Sequence, residues 1–204
     1  MSTALPFDPV YDSQRLFREL LQTMARPGEI REFRLDPGAL PDGLSRGQLL
    51  VAMTLLNYDS PFWMAEEDDA AAGFVAFHTG APRVGRDAAD YYFPRIPALL
   101  DLVPELPTGD PAYPETGPTL VVRVERLASE YAGDGALVLT GPGIDGKRIV
   151  EIAGIPPALW ELRASANEEF PCGIDFIFCA DQAEGARFLS LPRTTFAHVN
   201  LNPS

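Results

Sequence analysis

The chain has 204 residues, 46% of them hydrophobic, and sets twenty-nine Asp plus Glu against sixteen Lys plus Arg, a formal charge of −13. A length of this order fits a single domain over residues 1–204 that buries roughly 70% of its unfolded surface, while the charge repels nucleic acid and an anionic membrane surface, so neither is expected as a partner. All but one of the basic residues are Arg, with Lys147 the single lysine: a guanidinium fork for a phosphate or carboxylate stays open despite the global sign, and Schiff-base chemistry has one candidate.

The opening residues MSTALPFDPVYDSQ lack the basic and apolar regions of a signal peptide, and no apolar run approaches the ~20 residues of a membrane span. A cytoplasmic protein is expected. Cys172 and Cys179 have neither a second Cys pair nor the flanking His of a zinc site, so they are expected as buried reduced thiols, with no metal.

In chain order, Asp12 to Arg26 carries Leu16, Phe17, Leu20, Leu21 and Met24 at helical spacing, with Asp12 or Ser13 to cap the start and Pro27-Gly28 to end it. A short strand from Ile30 to Leu35 follows, then a turn-rich stretch from Asp36 to Gly43, then a helix near Arg46 to Tyr58. Pro61 to Met64 and Ala72 to His78 read as two short strands, the second ending in a Gly-Ala-Pro turn. Ala81 to Pro118 is proline-rich and irregular, with aromatics that need a dry place to pack. Thr119 to Arg126 and Ala136 to Thr140 read as strands, and the turn around Gly133-Asp134-Gly135 suggests that they are hairpin-like neighbours. Pro157 to Ala166 reads as a helix. Gly173 to Asp181 is a strand with Ile174, Phe176 and Phe178 on one face and Ile177 and Cys179 on the other, so both faces are expected to be covered, as in a three-layer α/β domain.

The residues with chemistry to offer are few. Gly141-Pro142-Gly143-Ile144-Asp145-Gly146-Lys147 matches G-x-x-x-x-G-K, but Arg148 stands where a magnesium-binding hydroxyl is required and no helix is expected to follow, so a glycine-rich turn between strands is the expectation. His78 and His198 are the two histidines; His78, at the end of its expected strand, is placed to reach a cleft as a general acid or base or to serve as a hydrogen-bonded structural residue. Arg193, Thr194 and Thr195 form a trio suited to an anion, the alternative being an Arg paired with a structural carboxylate. Asp59 and Asp175 are candidates for that carboxylate or for a general base.

Seven stretches occur in an order that resembles the PhnH family, a subunit of the bacterial carbon-phosphorus lyase system: Phe17-Arg18-Glu19-Leu20-Leu21 through Pro27-Gly28, Leu55 through Asp59-Ser60-Pro61-Phe62-Trp63, Phe77 to Pro82, Pro114-Glu115-Thr116-Gly117, Leu139 to Ile144, Phe170 to Asp175, and Leu191-Pro192-Arg193-Thr194-Thr195. The resemblance implies a role in phosphonate catabolism, in a complex with the G, I and J subunits that joins an alkylphosphonate to the ribose of ATP with loss of adenine. It also implies a three-layer αβα fold with a mixed central sheet like the large domain of pyridoxal-phosphate transferases, without the cofactor, and a homodimer when isolated. It assigns no catalytic residue to this subunit. The rival reading is a free-standing phosphate- or nucleotide-binding transferase using His78 and the Arg193 cluster.

Overall fold

The computed structural model describes residues 6–129 and 135–200. The first helix, α1, spans Tyr11–Ala25. It starts a residue earlier than expected because its cap lies upstream: Asp8 accepts from the N–H of Val10 at 2.8 Å and of Tyr11 at 2.7 Å, bonds that hold its carboxyl below the usual range. Leu16, Leu20 and Thr23 are buried, and Phe17 and Leu21 lie on the outer side. Strand β1, Arg31–Phe33, and helix α2, Arg46–Leu55, follow as predicted, α2 opening on a capping box in which Ser45 accepts from the Gln48 N–H and Gln48 from the Ser45 N–H.

Two expectations are corrected. After β2, Phe62–Trp63, the segment read as a strand from Ala72 to His78 is helix α3, Asp69–Thr79, ended by Gly80 in the left-handed conformation. Phe74 to Phe77 is a short apolar run, which a strand and a buried helix share, but the preceding alanines favour helix, and Ala71, Ala72 and Val75 turn to the core at helical spacing. Nor are the strands flanking the 133–135 turn a hairpin pair. Gly133 and Asp134 lie outside the described residues. Strand β4, Thr119–Arg123, ends early and pairs with β3, Tyr91–Tyr92, and with β8, Asp175–Gln182, whereas β6, Leu137–Thr140, pairs with β7, Arg148–Ala153, and β10, Phe196–Val199. Leu120 and Val122 on one face of β4 and Val121 on the other are all buried, which suits the interior of a parallel sheet better than one arm of a hairpin.

The result is a mixed six-stranded sheet in the order β1-β9-β8-β4-β3-β2, β9 being Gly185–Leu191, and a four-stranded antiparallel sheet in the order β10-β6-β7-β5, β5 being Arg126–Ser129. In the first, β2, β3, β4 and β8 are parallel, and β9 and β1 continue it antiparallel. One face packs Val121, Ile177 and Phe188 against α1, α2 and α3 through Leu16, Leu49, Leu50 and Val75. The other packs Leu120, Val122, Phe176 and Phe178 against α4 (Leu99–Leu102), α5 (Ala158–Ala166) and the second sheet, through Leu99, Leu159, Trp160, Leu139 and Val150. The mixed α/β architecture read from the sequence is present, with one covering layer helical and the other part helix, part sheet.

Strand β8 divides its side chains between the two faces as its sequence implied. Cys172 and Cys179 are both buried and unpaired, and burial drives the Cys179 thiol far up from its ordinary pKa. Among the described residues, no helix is long and apolar enough to cross a membrane.

Candidate functional site

Register fixes which end of the sheet each candidate occupies. Phe62, Tyr91, Thr119 and Asp175 align across β2, β3, β4 and β8, so Asp175 and the loop that leads into β2 lie at the amino ends of the parallel strands. Asp59, in that loop, is exposed, with its N–H bound to Asn57 Oδ1 at 2.7 Å. It enters β2, three strands from β8, a separation of about 14 Å by strand spacing. Asp59 and Asp175 therefore do not form a dyad.

Asp175 does meet Arg193. Its carboxylate accepts from Arg193 Nη2 at 2.6 Å, from Nε at 3.2 Å and from the Arg193 backbone N–H at 2.6 Å. The rest of the guanidinium reaches the carbonyls of Pro114 and Gly117, and Arg193 and Asp175 keep only 13% and 20% of their side chains exposed. Of the two readings of Arg193, the pairing with a carboxylate is present, and the same guanidinium lines the cleft described below. The knot joins three of the stretches that carry the family resemblance, at 114–117, 170–175 and 191–195.

A neighbouring arginine that sequence reasoning missed builds the same corner. Arg163 of α5 is buried, and its guanidinium donates to the carbonyls of Leu191, Pro192 and Thr195 at 3.3, 2.6 and 2.8 Å. Burial lowers its pKa to about 10, opposed by the charge of Asp175. Its Nε and the hydroxyl of buried Thr195 have no hydrogen-bond partner. Asn167 completes the corner by pairing with both backbone groups of Ile174. The sequence signal available was an Arg on a predicted helix at a position that its spacing turns inward.

Beside this corner lies a cleft of about 470 Å³ whose wall is largely apolar, with Phe170, Phe196, Pro142 and Ala197 around Thr194 and His198. Phe170 and Phe196 are 71% and 63% exposed. All three members of the predicted trio line the cleft: Arg193 is paired with Asp175, Thr195 is buried and Thr194 is half-buried.

His78 sits elsewhere, on α3, its ring against Phe74 at 4.4 Å and Phe77 at 5.1 Å between centroids. Partial burial lowers its pKa, and among the described residues no carboxylate or hydroxyl is hydrogen-bonded to it. Lys147 lies in the loop between antiparallel β6 and β7, which opens no helix. Gly143 there has φ +81°, and a Cβ would run into the Ala25 carbonyl at the end of α1, so the glycine serves close packing and the loop is a turn. No three His, Cys, Asp or Glu among the described residues converge as metal ligands.

Fold and site together define a mixed α/β protein whose buried arginines hold segments of its own backbone. Residues 6–198 match the model of the bacterial phosphonate metabolism protein family, PhnH, and the chain belongs to that family. It is 35% identical over 192 residues, 92% of this chain and 91% of the relative, to the alpha-D-ribose 1-methylphosphonate 5-triphosphate synthase subunit PhnH of Rhizobium meliloti (strain 1021). It is 34% identical over 189 residues, 92% of this chain and 86% of the relative, to the putative C-P lyase subunit protein HtxG of Stutzerimonas stutzeri.

Proposed function

We propose that this chain is a subunit of a carbon-phosphorus lyase core complex and supports formation of ribose 1-alkylphosphonate 5-triphosphate from ATP and an alkylphosphonate. The observation that carries the reading is near-full-length similarity to two relatives that are both named as subunits of such a system. The partners we assign are the G, I and J subunits, with self-association into a homodimer when the chain is alone. The chain acts as one unit in the cytoplasm, with a scaffold of the kind seen in the large domain of pyridoxal-phosphate transferases, working without that cofactor.

The site geometry favours a supporting role over an independent catalytic one. Asp175 and Arg193 are bound to each other, His78 packs against phenylalanines on another layer, and Asp59 stands apart. The apolar cleft, with two exposed phenylalanines at its wall, has the composition of an interface anchor. As ligand contacts, Arg193, Thr194 and Thr195 act in this reading by shaping the cleft.

The test is reconstitution of synthase activity from purified subunits with and without this chain. Product should form only when the chain is present, and the chain alone should form none. Turnover of a phosphonate or nucleotide by the isolated chain, lost in Arg193→Ala or His78→Ala, would instead support the free-standing transferase.

A further inference from the structure

The carboxyl ends of the parallel strands carry a second cleft, which none of the sequence candidates touches. Its volume is about 410 Å³, and it is lined by Asp42 and Gly43 before α2, Gln48 on α2, Phe93 to Ile96 after β3, and Arg123 at the end of β4. Its place in the topology is informative. The chain leaves β2 into α3, on the face packed by α1 and α2, but leaves β3 into α4, on the opposite face. Connections that part to opposite faces open a crevice at the strands' carboxyl ends, where open α/β sheets bind ligands.

The side chains there differ from those at the other end. Arg123 is exposed and, among the described residues, its side chain forms no hydrogen bond or ion pair, in a chain where acidic groups outnumber basic ones by thirteen. Arg95 stands beside it in the lining and is oriented rather than free: Nε lies 3.0 and 3.1 Å from the two oxygens of Asp68, and Nη2 also binds Asp68. Asp68 is buried, and the contacts of Arg95 to it use Nε and Nη2, so that Nη1 makes no hydrogen bond among the described residues. Gly43, at φ +86°, makes room for this arrangement, since a Cβ there would overlap Asp68 Oδ1 and come 3.2 Å from Arg95 Nη2. The start of α2 does not compete for a ligand: Asp181 accepts from the N–H of Arg46 and Gly47, and Ser45 from that of Gln48. Gln48 is likewise bound to Ser45 and to the Val121 carbonyl.

We propose that this cleft binds the phosphoryl or phosphonyl oxygens of a small molecule, with Arg123 the principal donor and Arg95, held by Asp68, the second. A guanidinium with free donors matches such oxygens in a bidentate fork, and Pro94 and Ile96 supply an apolar wall for the rest of the ligand. Asp42 is the opposing charge in the lining; it weakens a bare anion and selects for a ligand with a hydroxyl beside the phosphorus group. This goes beyond the subunit reading, because it gives the isolated chain a ligand of its own.

The test is calorimetric titration of the isolated chain with methylphosphonate, inorganic phosphate and ATP, separately, at 0.15 M NaCl, with the same titrations on Arg123→Gln and Asp42→Asn. Binding of at least one probe, weakened about tenfold or more by Arg123→Gln and, for methylphosphonate and phosphate, which carry no carbon-bound hydroxyl, strengthened by Asp42→Asn, is the expected result. The probe that binds tightest tells whether the phosphonate or the nucleotide is the source. No binding of any probe at 10 mM, or binding indifferent to Arg123→Gln, overturns the proposal. Arg123→Gln is also co-expressed with the partner subunits: assembly with no ligand binding in the wild type would remove this inference and leave the subunit reading standing.

Discussion

The two ends of the parallel strands use the same residue type in opposite ways. At the amino ends, Arg193 and Arg163 direct their donors to one carboxylate and five backbone carbonyls, and each is nearly closed off from water. At the carboxyl ends, among the described residues, the Arg123 side chain has no such partner and that of Arg95 has one, Asp68. A buried guanidinium must be matched by acceptors or its desolvation goes uncompensated; an exposed one at a cleft mouth has no such requirement. Residue type therefore does not distinguish a structural arginine from a binding one. The partners of its donors do.

Substitutions can break that comparison, and they are expected to rank by how many buried hydrogen bonds lose a partner. Arg163→Met strands three carbonyls in a buried corner and should lower unfolding free energy by about 3–5 kcal/mol in urea titration; a loss near zero would mean that the corner is not held by the guanidinium. Asp175→Asn leaves Arg193 with its charge unmatched and should cost about 2–4 kcal/mol by the same measurement, whereas Asp59→Asn, in an exposed loop, should stay within about 0.5 kcal/mol. Removing the α2 cap with Ser45→Ala should cost about 1 kcal/mol, readable as a small fall in melting temperature. At the carboxyl end, Arg123→Gln should leave stability unchanged to within about 0.5 kcal/mol. A large loss there would place Arg123 with the structural arginines and erase the contrast.

Much of the fold was legible because local signals agreed with tertiary ones. The apolar spacing of α1 and the two apolar faces of β8 each state their structure in a few neighbouring residues. Ala72 to His78 misled because a short apolar run does not distinguish a strand from a buried helix, and the helical signal lay in the alanines before it. The strands about the 133–135 turn misled because adjacency in sequence was taken for adjacency in space, although β4 is apolar on both faces and belongs inside the parallel sheet. The second sheet is not legible in the sequence, since its pairings join β10 to β6 across the intervening β7, α5, β8 and β9.

The site was less legible, for the same physical reason. Arg193, Thr194 and Thr195 attract notice as a cluster in sequence, but what Arg193 does depends on Asp175, Pro114 and Gly117, eighteen to seventy-nine residues away. Arg123 and Arg95 attract none, because each is a lone arginine until the strand ends bring them to one cleft.

The central claim is that this chain functions within an assembly, and its most direct test is co-expression of the tagged chain with the G, I and J subunits, followed by mass determination of the eluted species. The account predicts a stoichiometric complex containing all four chains. Elution of the tagged chain alone, as a monomer or homodimer, while the other three assemble without it, would contradict it.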